Sequence, residues 1–326
     1  MSQGALPPRA DLTIGFAHAA YQMAASFAER HTGIGHFEVR DLDGLRERMP
    51  EVDVLVISGL WRNDLLDRAT RLRWIQSIGA GYDQFPLGEL RRRGIRLTSA
   101  RGVNRNAVSE HAMAMVLALA RKLPEARDNQ QRHVWRGMIS DIPKREDELG
   151  GKTLGIVGLG HIGSRTAALA KAFGMRVIAT KRNPATYDGP ADEVWPSGGI
   201  DDLLRQADFV VLHCPLTDET RGLLSRARLA LMRPSAYLIN VARGAVVDEP
   251  ALLDALREGT IAGAGLDHFY EDPLPPESPF WDLPNVLITP HTAGETQKYE
   301  SNVLDILLEN LDRLERGETE LFNQVV

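Results

Sequence analysis

The feature that most constrains this chain is Gly158-Leu159-Gly160-His161-Ile162-Gly163, a G-x-G-x-x-G run. It stands directly behind the apolar residues 153–157 and ahead of an Ala-rich helical stretch, residues 164–172. A second β-rich run, residues 177–180, closes the unit. Strand, glycine turn, helix and strand in that order make a βαβ unit. Such a unit commits the chain to a parallel sheet, because parallel neighbours need a crossover. Glycines let the backbone approach a pyrophosphate closely, and the start of the helix offers unpaired N–H groups at the positive end of its dipole. Gly158, Gly160, His161, Ile162 and Gly163 are therefore the candidate phosphate-loop residues. The plainer alternative is a glycine-rich turn at a tight strand–helix junction.

The rest of the chain repeats the α/β alternation. Before the loop, residues 12–16, 52–57 and 73–78 read as strands, and residues 19–29 and 45–48 as helical. After it come strand candidates at residues 209–213, 237–241, 262–267 and 286–289. Residues 298–316 carry apolar side chains at helical spacing. A long helix is expected from a cap at Asn106 through the Ala/Met/Leu run 112–120. It is apolar on nearly all sides, which places it at a domain junction.

Composition bounds the function classes. The 326 residues suit two domains of ordinary size, and 43% apolar with 25% charged residues describes a globular chain. A net charge of -6 leaves no footprint for nucleic acid. Cys214 is the single cysteine, so no internal disulfide can form. Residues 1–10 lack a signal pattern, and no apolar run is long enough for a membrane helix. A cytoplasmic protein is the default expectation. No histidine pair has metal-ligand spacing, and His213 and Cys214, neighbours in a strand, face opposite sides; no metal site is expected.

The second strand of the βαβ unit bears on the choice of dinucleotide. An acid at its end would bond a ribose 2′-hydroxyl, whereas this strand ends Thr180-Lys181-Arg182-Asn183. No acidic residue occurs between Gly163 and Asp188. Lys181 and Arg182 can pair with a 2′-phosphate, so NADP(H) is favoured over NAD(H). Two solvated surface charges are the alternative.

Four polar stretches begin at the carboxyl ends of strand candidates, where open α/β sheets bind ligands. They are residues 213–217, 240–244, 265–269 and 289–294. His213, Pro215, Val241, Ala242, Asp267 and Gly294 within them are further candidate cofactor contacts. Together with the glycine loop, in this order and spacing, these stretches resemble the D-isomer-specific 2-hydroxyacid dehydrogenase family. The resemblance runs from about Ile75 to the C-terminus.

The resemblance implies a bilobed α/β protein with two Rossmann-like, doubly wound parallel-sheet domains. A substrate domain, residues 1–103 plus 297–326, would receive a dinucleotide domain, residues 104–296, as an insertion. It implies hydride transfer between a nicotinamide cofactor and a small 2-oxo or 2-hydroxy acid, such as glyoxylate or hydroxypyruvate. Arg243 matches the family's arginine, which binds the carboxylate and polarises the adjacent carbonyl. His291 matches its proton-relay histidine. Asp272 stands where the family usually has Glu, with Glu271 one residue before it. An acid there orients the histidine and favours its charged form, and the shorter Asp leaves Glu271 as a possible substitute.

Asp267 matches an aspartate that holds the nicotinamide carboxamide, although a turn residue is the bland reading. Gly79, Ala80 and Gly81 match a loop that offers backbone N–H groups to the substrate carboxylate. Leu60 and Trp61 match the side-chain pocket, where an aromatic selects bulk or simply packs. Asn104, Tyr82 and Trp135 are weaker substrate candidates. A homodimer through the dinucleotide domain is also implied, with the 106–120 helix as its candidate face. The alternative from another class is a nucleotide-sensing interaction protein, like the transcriptional corepressors that share this fold.

Overall fold

A computed structural model describes residues 6–326, so residues 1–5, half of the stretch read for a leader, lie outside it. In chain order the first elements are β1 (Thr13–Ala17), α1 (Met23–Ala28), β2 (Gly35–Val39), α2 (Leu42–Arg48), β3 (Val54–Ile57), β4 (Trp74–Ser77), α3 (Leu87–Arg93) and β5 (Arg96–Thr98). Then follow α4 (Arg105–Ala120), α5 (Leu123–Gln131), β6 (Thr153–Val157), α6 (His161–Ala172), β7 (Arg176–Thr180), β8 (Glu193–Trp195) and α7 (Ile200–Gln206). The chain continues with β9 (Phe209–Leu212), α8 (Arg226–Leu229), β10 (Tyr237–Asn240), α9 (Glu249–Arg257), β11 (Gly263–Leu266), β12 (Val286–Ile288) and α10 (Tyr299–Glu315).

The chain divides into two compact units, one from Met1–Asn104 with Thr296–Val326, the other from Arg105–Glu295. The first holds a five-stranded sheet in the order β2-β1-β3-β4-β5, and every pair is parallel. The second holds a seven-stranded sheet, β12-β11-β10-β9-β6-β7-β8, again wholly parallel. Two parallel-sheet α/β units are what the alternation of runs leads one to expect. Both strand orders reverse direction once, between β1 and β3 and between β6 and β9. At such a reversal the flanking crossovers leave to opposite faces, and a crevice opens beyond the carboxyl ends of the strands.

Central strands are buried along their whole length: β3, β4, β9 and β11 contain no exposed residue. Helices cover both faces, so β3 and β9 read as continuous apolar runs, while β4 ends in the buried polar pair Gln76 and Ser77. In the first unit α10 returns the chain to the sheet that began it. Val303, Leu304 and Leu307 pack into one core with Ile14, Phe16, Val54 and Trp74. The last residues then pin the edge strand, with Leu97 N–H donating to Val326 O and Val325 N–H to Leu97 O.

Several boundaries differ from the sequence reading. β2, β5 and β8 were not expected; they are short or lie at sheet edges, where apolar alternation is weak. The helix expected from residue 19 begins at Met23, because the His18 ring accepts N–H bonds from Ala20 and Tyr21 and holds a turn there. Asn106 does not cap α4; the helix starts at Arg105 and Asn106 lies in its first turn. α4 opens the second unit and packs on α6, β10 and β11, but Ala114 on its outer face stays exposed. α6 begins at His161, inside the glycine run, three residues before the expected start. Among the described residues no helix is long and apolar enough to cross a membrane.

Candidate active site

The glycine loop occupies the β6–β9 reversal. Each glycine has its own reason to be there. Gly158 has φ 100°, and a Cβ on it would stand 2.6 Å from Cys214 N. A Cβ on Gly163 would stand 2.4 Å from Gly158 O. Both are thus required by packing between the loop, α6 and the turn after β9. Gly160 differs, since a Cβ there meets nothing within 4 Å. The space beside it is open, at the N-terminus of a 12-residue helix whose first turn begins at exposed His161 and half-buried Ile162. This is the geometry a pyrophosphate requires, so the residues present fit a dinucleotide.

Lys181 and Arg182 follow β7 as expected but differ in role. Lys181 Nζ donates to Leu159 O at 2.9 Å, which ties its charge to the glycine loop. Arg182 is exposed. His213 after β9 is half-buried, with Nε2 2.9 Å from Thr166 Oγ1. That hydroxyl donates to Ile162 O, so Nε2 carries the proton and donates to it. His213 Nδ1 is enclosed without a hydrogen-bond partner, and burial pushes the ring's pKa down to about 3. Burial likewise pushes the Cys214 thiol up to about 11. Pro215 is exposed, Gly294 is half-buried, and Val241 and Ala242 are buried.

The expected catalytic trio lies on three loops that follow the adjacent strands β10, β11 and β12. The first loop is tied by Asn240, a role not foreseen although the residue stood in the motif. Its Nδ2 donates to Arg243 O at 3.0 Å, and its Oδ1 accepts from Ala242 N at 3.1 Å. Arg243 is exposed, and its guanidinium donates to Ala242 O at 2.6 Å. Gly244 is required because a Cβ there would fall 2.0 Å from Phe269 C and O.

Asp267 directly follows β11 and is 1% exposed. Its Oδ1 accepts from Thr289 Oγ1 at 2.6 Å and Thr292 N at 2.9 Å, and its Oδ2 from Ala293 N at 3.1 Å. The structure therefore gives Asp267 a turn-fixing role, with its carboxylate closed off from solvent. His111 Nε2, 3.0 Å from Thr289 Oγ1, extends the same network. The loop so held carries His291 at φ 54°, a left-handed conformation that non-glycine residues rarely adopt.

His291 Nδ1 hydrogen-bonds Asp272 Oδ2, and both side chains are about half exposed. Glu271 is exposed. Between the two acids, Asp272 is the one that reaches the histidine. A second imidazole joins them. His268 is 7% exposed, and its ring centroid lies 3.9 Å from that of His291. Burial, then the neighbouring His291 and Arg243, push His268 down to about 4. Sequence spacing suggested no metal ligands, yet one donor atom each from His268, Asp272 and His291 lie within 4.8 Å of one another.

In the first unit, Gly79, Ala80 and Gly81 follow β4. The carbonyl oxygens of Gly79 and Gly81 lie 3.0 and 3.2 Å from Ser77 Oγ. Among the described residues their three N–H groups donate to no backbone acceptor. Leu60 is half-buried. Trp61 corrects the pocket expectation: it is 3% exposed, packs on Phe85 with centroids 5.1 Å apart, and donates to Asn63 Oδ1. Of its two readings, packing is the one realised. Tyr82 is exposed and Asn104 half-buried in the first unit; Trp135, in the second, is fully exposed.

Comparison with known proteins agrees with this arrangement. Residues 113–293 match the family model described as D-isomer specific 2-hydroxyacid dehydrogenase, NAD binding domain. A glyoxylate reductase of Pyrococcus furiosus is 40% identical over 282 residues, 84% of this chain and 82% of that one. A crystal structure of a D-isomer specific 2-hydroxyacid dehydrogenase family protein from Aeromonas salmonicida superposes with TM-score 0.83 at 30% identity, covering 97% and 99% of the two chains. An acyclic imino acid reductase solved with NADPH and D-Arg superposes with TM-score 0.77 at 25% identity, covering 97% and 100%. The chain belongs to the D-isomer-specific 2-hydroxyacid dehydrogenase family.

Proposed function

We propose that the protein reduces a small 2-oxo acid, such as glyoxylate or hydroxypyruvate, to the D-2-hydroxy acid with NADPH. The observation that carries this is the His291–Asp272 pair, held by the Asp267 network one strand away from the Arg243 loop. A bound nicotinamide supplies the hydride. The chain's own residues handle charge and proton. Arg243 offers a guanidinium to the substrate's carboxylate and carbonyl oxygens, drawing electron density from the carbonyl carbon. His291 gives its proton to the oxygen as it becomes an alkoxide, and Asp272 holds the ring in line for that transfer. In the reverse direction the neutral ring takes the proton back. The backbone N–H groups of Gly79, Ala80 and Gly81, which donate to no backbone acceptor, suit a carboxylate.

On this reading residues 104–296 bind the dinucleotide, and residues 1–103 with 297–326 form the substrate domain. NADP(H) rests on the lack of an acid after β7 and on exposed Arg182, which a 2′-phosphate would pair with. The glyoxylate reductase relatives support the substrate class, and the imino acid reductase holding NADPH supports the cofactor. Assembly as a homodimer through the second unit belongs to the same reading, and a single-chain mass by light scattering would remove it.

The test is steady-state oxidation of NADPH and NADH with a panel of 2-oxo acids. Turnover is expected with glyoxylate or hydroxypyruvate, with the larger kcat/KM for NADPH. Arg243→Lys should lower kcat/KM about 100-fold or more, since the forked guanidinium is lost. A clear preference for NADH would sink the cofactor assignment, and no turnover with any 2-oxo acid would sink the reaction.

A further inference from the structure

We propose that His268, Asp272 and His291 form a tridentate site for a borderline divalent cation such as Zn2+, and that occupation of this site reversibly shuts the enzyme off. Two imidazoles and one carboxylate are a donor set that suits zinc. One donor atom from each side chain already lies within 4.8 Å of the other two. In a tetrahedral zinc site, bonds of about 2.0–2.2 Å put the donors roughly 3.4 Å apart. The remaining closure is small, and Asp272 and His291, which would make it, are about half exposed.

The Asp267 carboxylate, with Oδ2 3.8 Å from His268 Nε2, is the nearest acid behind that ring, beyond hydrogen-bond distance. Two carboxylates, Asp267 and Asp272, and one guanidinium, Arg243, act electrostatically on the His268 ring, and the guanidinium acts more strongly than either carboxylate. His268 enters from the buried side, while the other two ligands open to solvent, leaving an entry path and a fourth position for water.

The cation takes the place of the proton that His291 Nδ1 shares with Asp272 Oδ2, and that proton leaves to solvent. With its ring bound to the metal, His291 no longer relays a proton. The inhibitory consequence rests on the reading of His291 as the relay; the binding site does not.

The test starts from chelator-treated protein. Co2+ titration followed by visible absorption, and Zn2+ titration by calorimetry, should each give one site per chain. Zn2+ should abolish turnover and EDTA restore it. His268→Val and, as a second variant, His268→Gln should weaken Co2+ binding at least about tenfold. Each variant's rate in Zn2+ is compared with its own chelated rate, and both should need correspondingly more Zn2+ for inhibition. Absence of one-site binding, or both variants binding Co2+ like the wild type, overturns the proposal. Stoichiometric Co2+ binding without any 2-oxo acid turnover would keep the site and remove the functional reading; turnover without Co2+ binding would do the reverse.

Discussion

Single side chains decide the chemistry. Arg243 and His291 stand out in the sequence through the family resemblance, and both lie just beyond an apolar strand run, where a parallel sheet gathers polar groups. The choice between Glu271 and Asp272 could not be read from the sequence. Adjacent loop residues have no fixed facing, and only the path of the loop after β11 turns Asp272 toward His291. Asp272→Asn should therefore lower kcat at least about tenfold, as loss of an orienting carboxylate does, while Glu271→Gln changes it by less than about twofold. Steady-state kinetics of the two variants check this, and the opposite ranking would transfer the role to Glu271. The glycines offer a second contrast. Gly160→Ala adds a methyl in open space, so it should leave the melting temperature in place and raise the KM for the dinucleotide. Gly163→Ala should destabilise the protein by roughly 1–3 kcal/mol, because its Cβ collides with Gly158 O. Equal effects of both on melting would show that the open side of Gly160 is misassigned.

Elements position these residues, and here legibility varied with burial. Fully buried strands such as β9 announce themselves as unbroken apolar runs. The edge strands β2 and β8 are partly exposed and mixed in composition, so they carry little periodic signal. Trp61 shows the converse limit. An aromatic after β3 suits a pocket or a core equally well in sequence, and only its seat on Phe85 settles which. The clearest element-scale device is the tie between the ends of β11 and β12. Asp267 satisfies Thr289 Oγ1, Thr292 N and Ala293 N at once and so holds His291 in its left-handed conformation. Asp267→Ala would leave one buried and two half-buried donors without their acceptor, costing about 2 kcal/mol or more, and would free the loop. Chemical denaturation should show the loss, and kcat should fall with it. An unchanged denaturation midpoint would mean the network contributes little.

At the scale of the whole molecule, the second unit should be sensitive to acid. His213 is held neutral by burial, with its pKa at about 3 against an ordinary 6.5. A histidine whose folded pKa is depressed adds full stability above the unfolded value, because neither state then binds a proton. That stability is lost as pH falls from about 6.5 towards about 3, where the unfolded chain is protonated and the native ring is not. The loss attributable to His213 at pH 5 is about 2 kcal/mol relative to pH 7. His268, at about 4, adds to it with the same sign. Thermal unfolding between pH 7 and 5 should show this decline, and His213→Gln should flatten it; an identical slope in the variant would refute the assignment.

The sequence alone determined the parallel α/β architecture, the phosphate loop and the family, because each depends on local order along the chain: strand, glycine turn, helix, strand. Tertiary structure decided the rest. It selected Asp272 over Glu271, gave Asp267 to the loop network, moved Trp61 into the core and brought His268 against His291. The reason is physical. Hydrophobic period and glycine placement are properties of neighbours in the chain, whereas hydrogen bonds between loops depend on which strand ends lie side by side in the sheet. The motif that opened the problem shows both. Its spacing announced a dinucleotide loop, but only packing showed that Gly158 and Gly163 serve the fold while Gly160 faces open space.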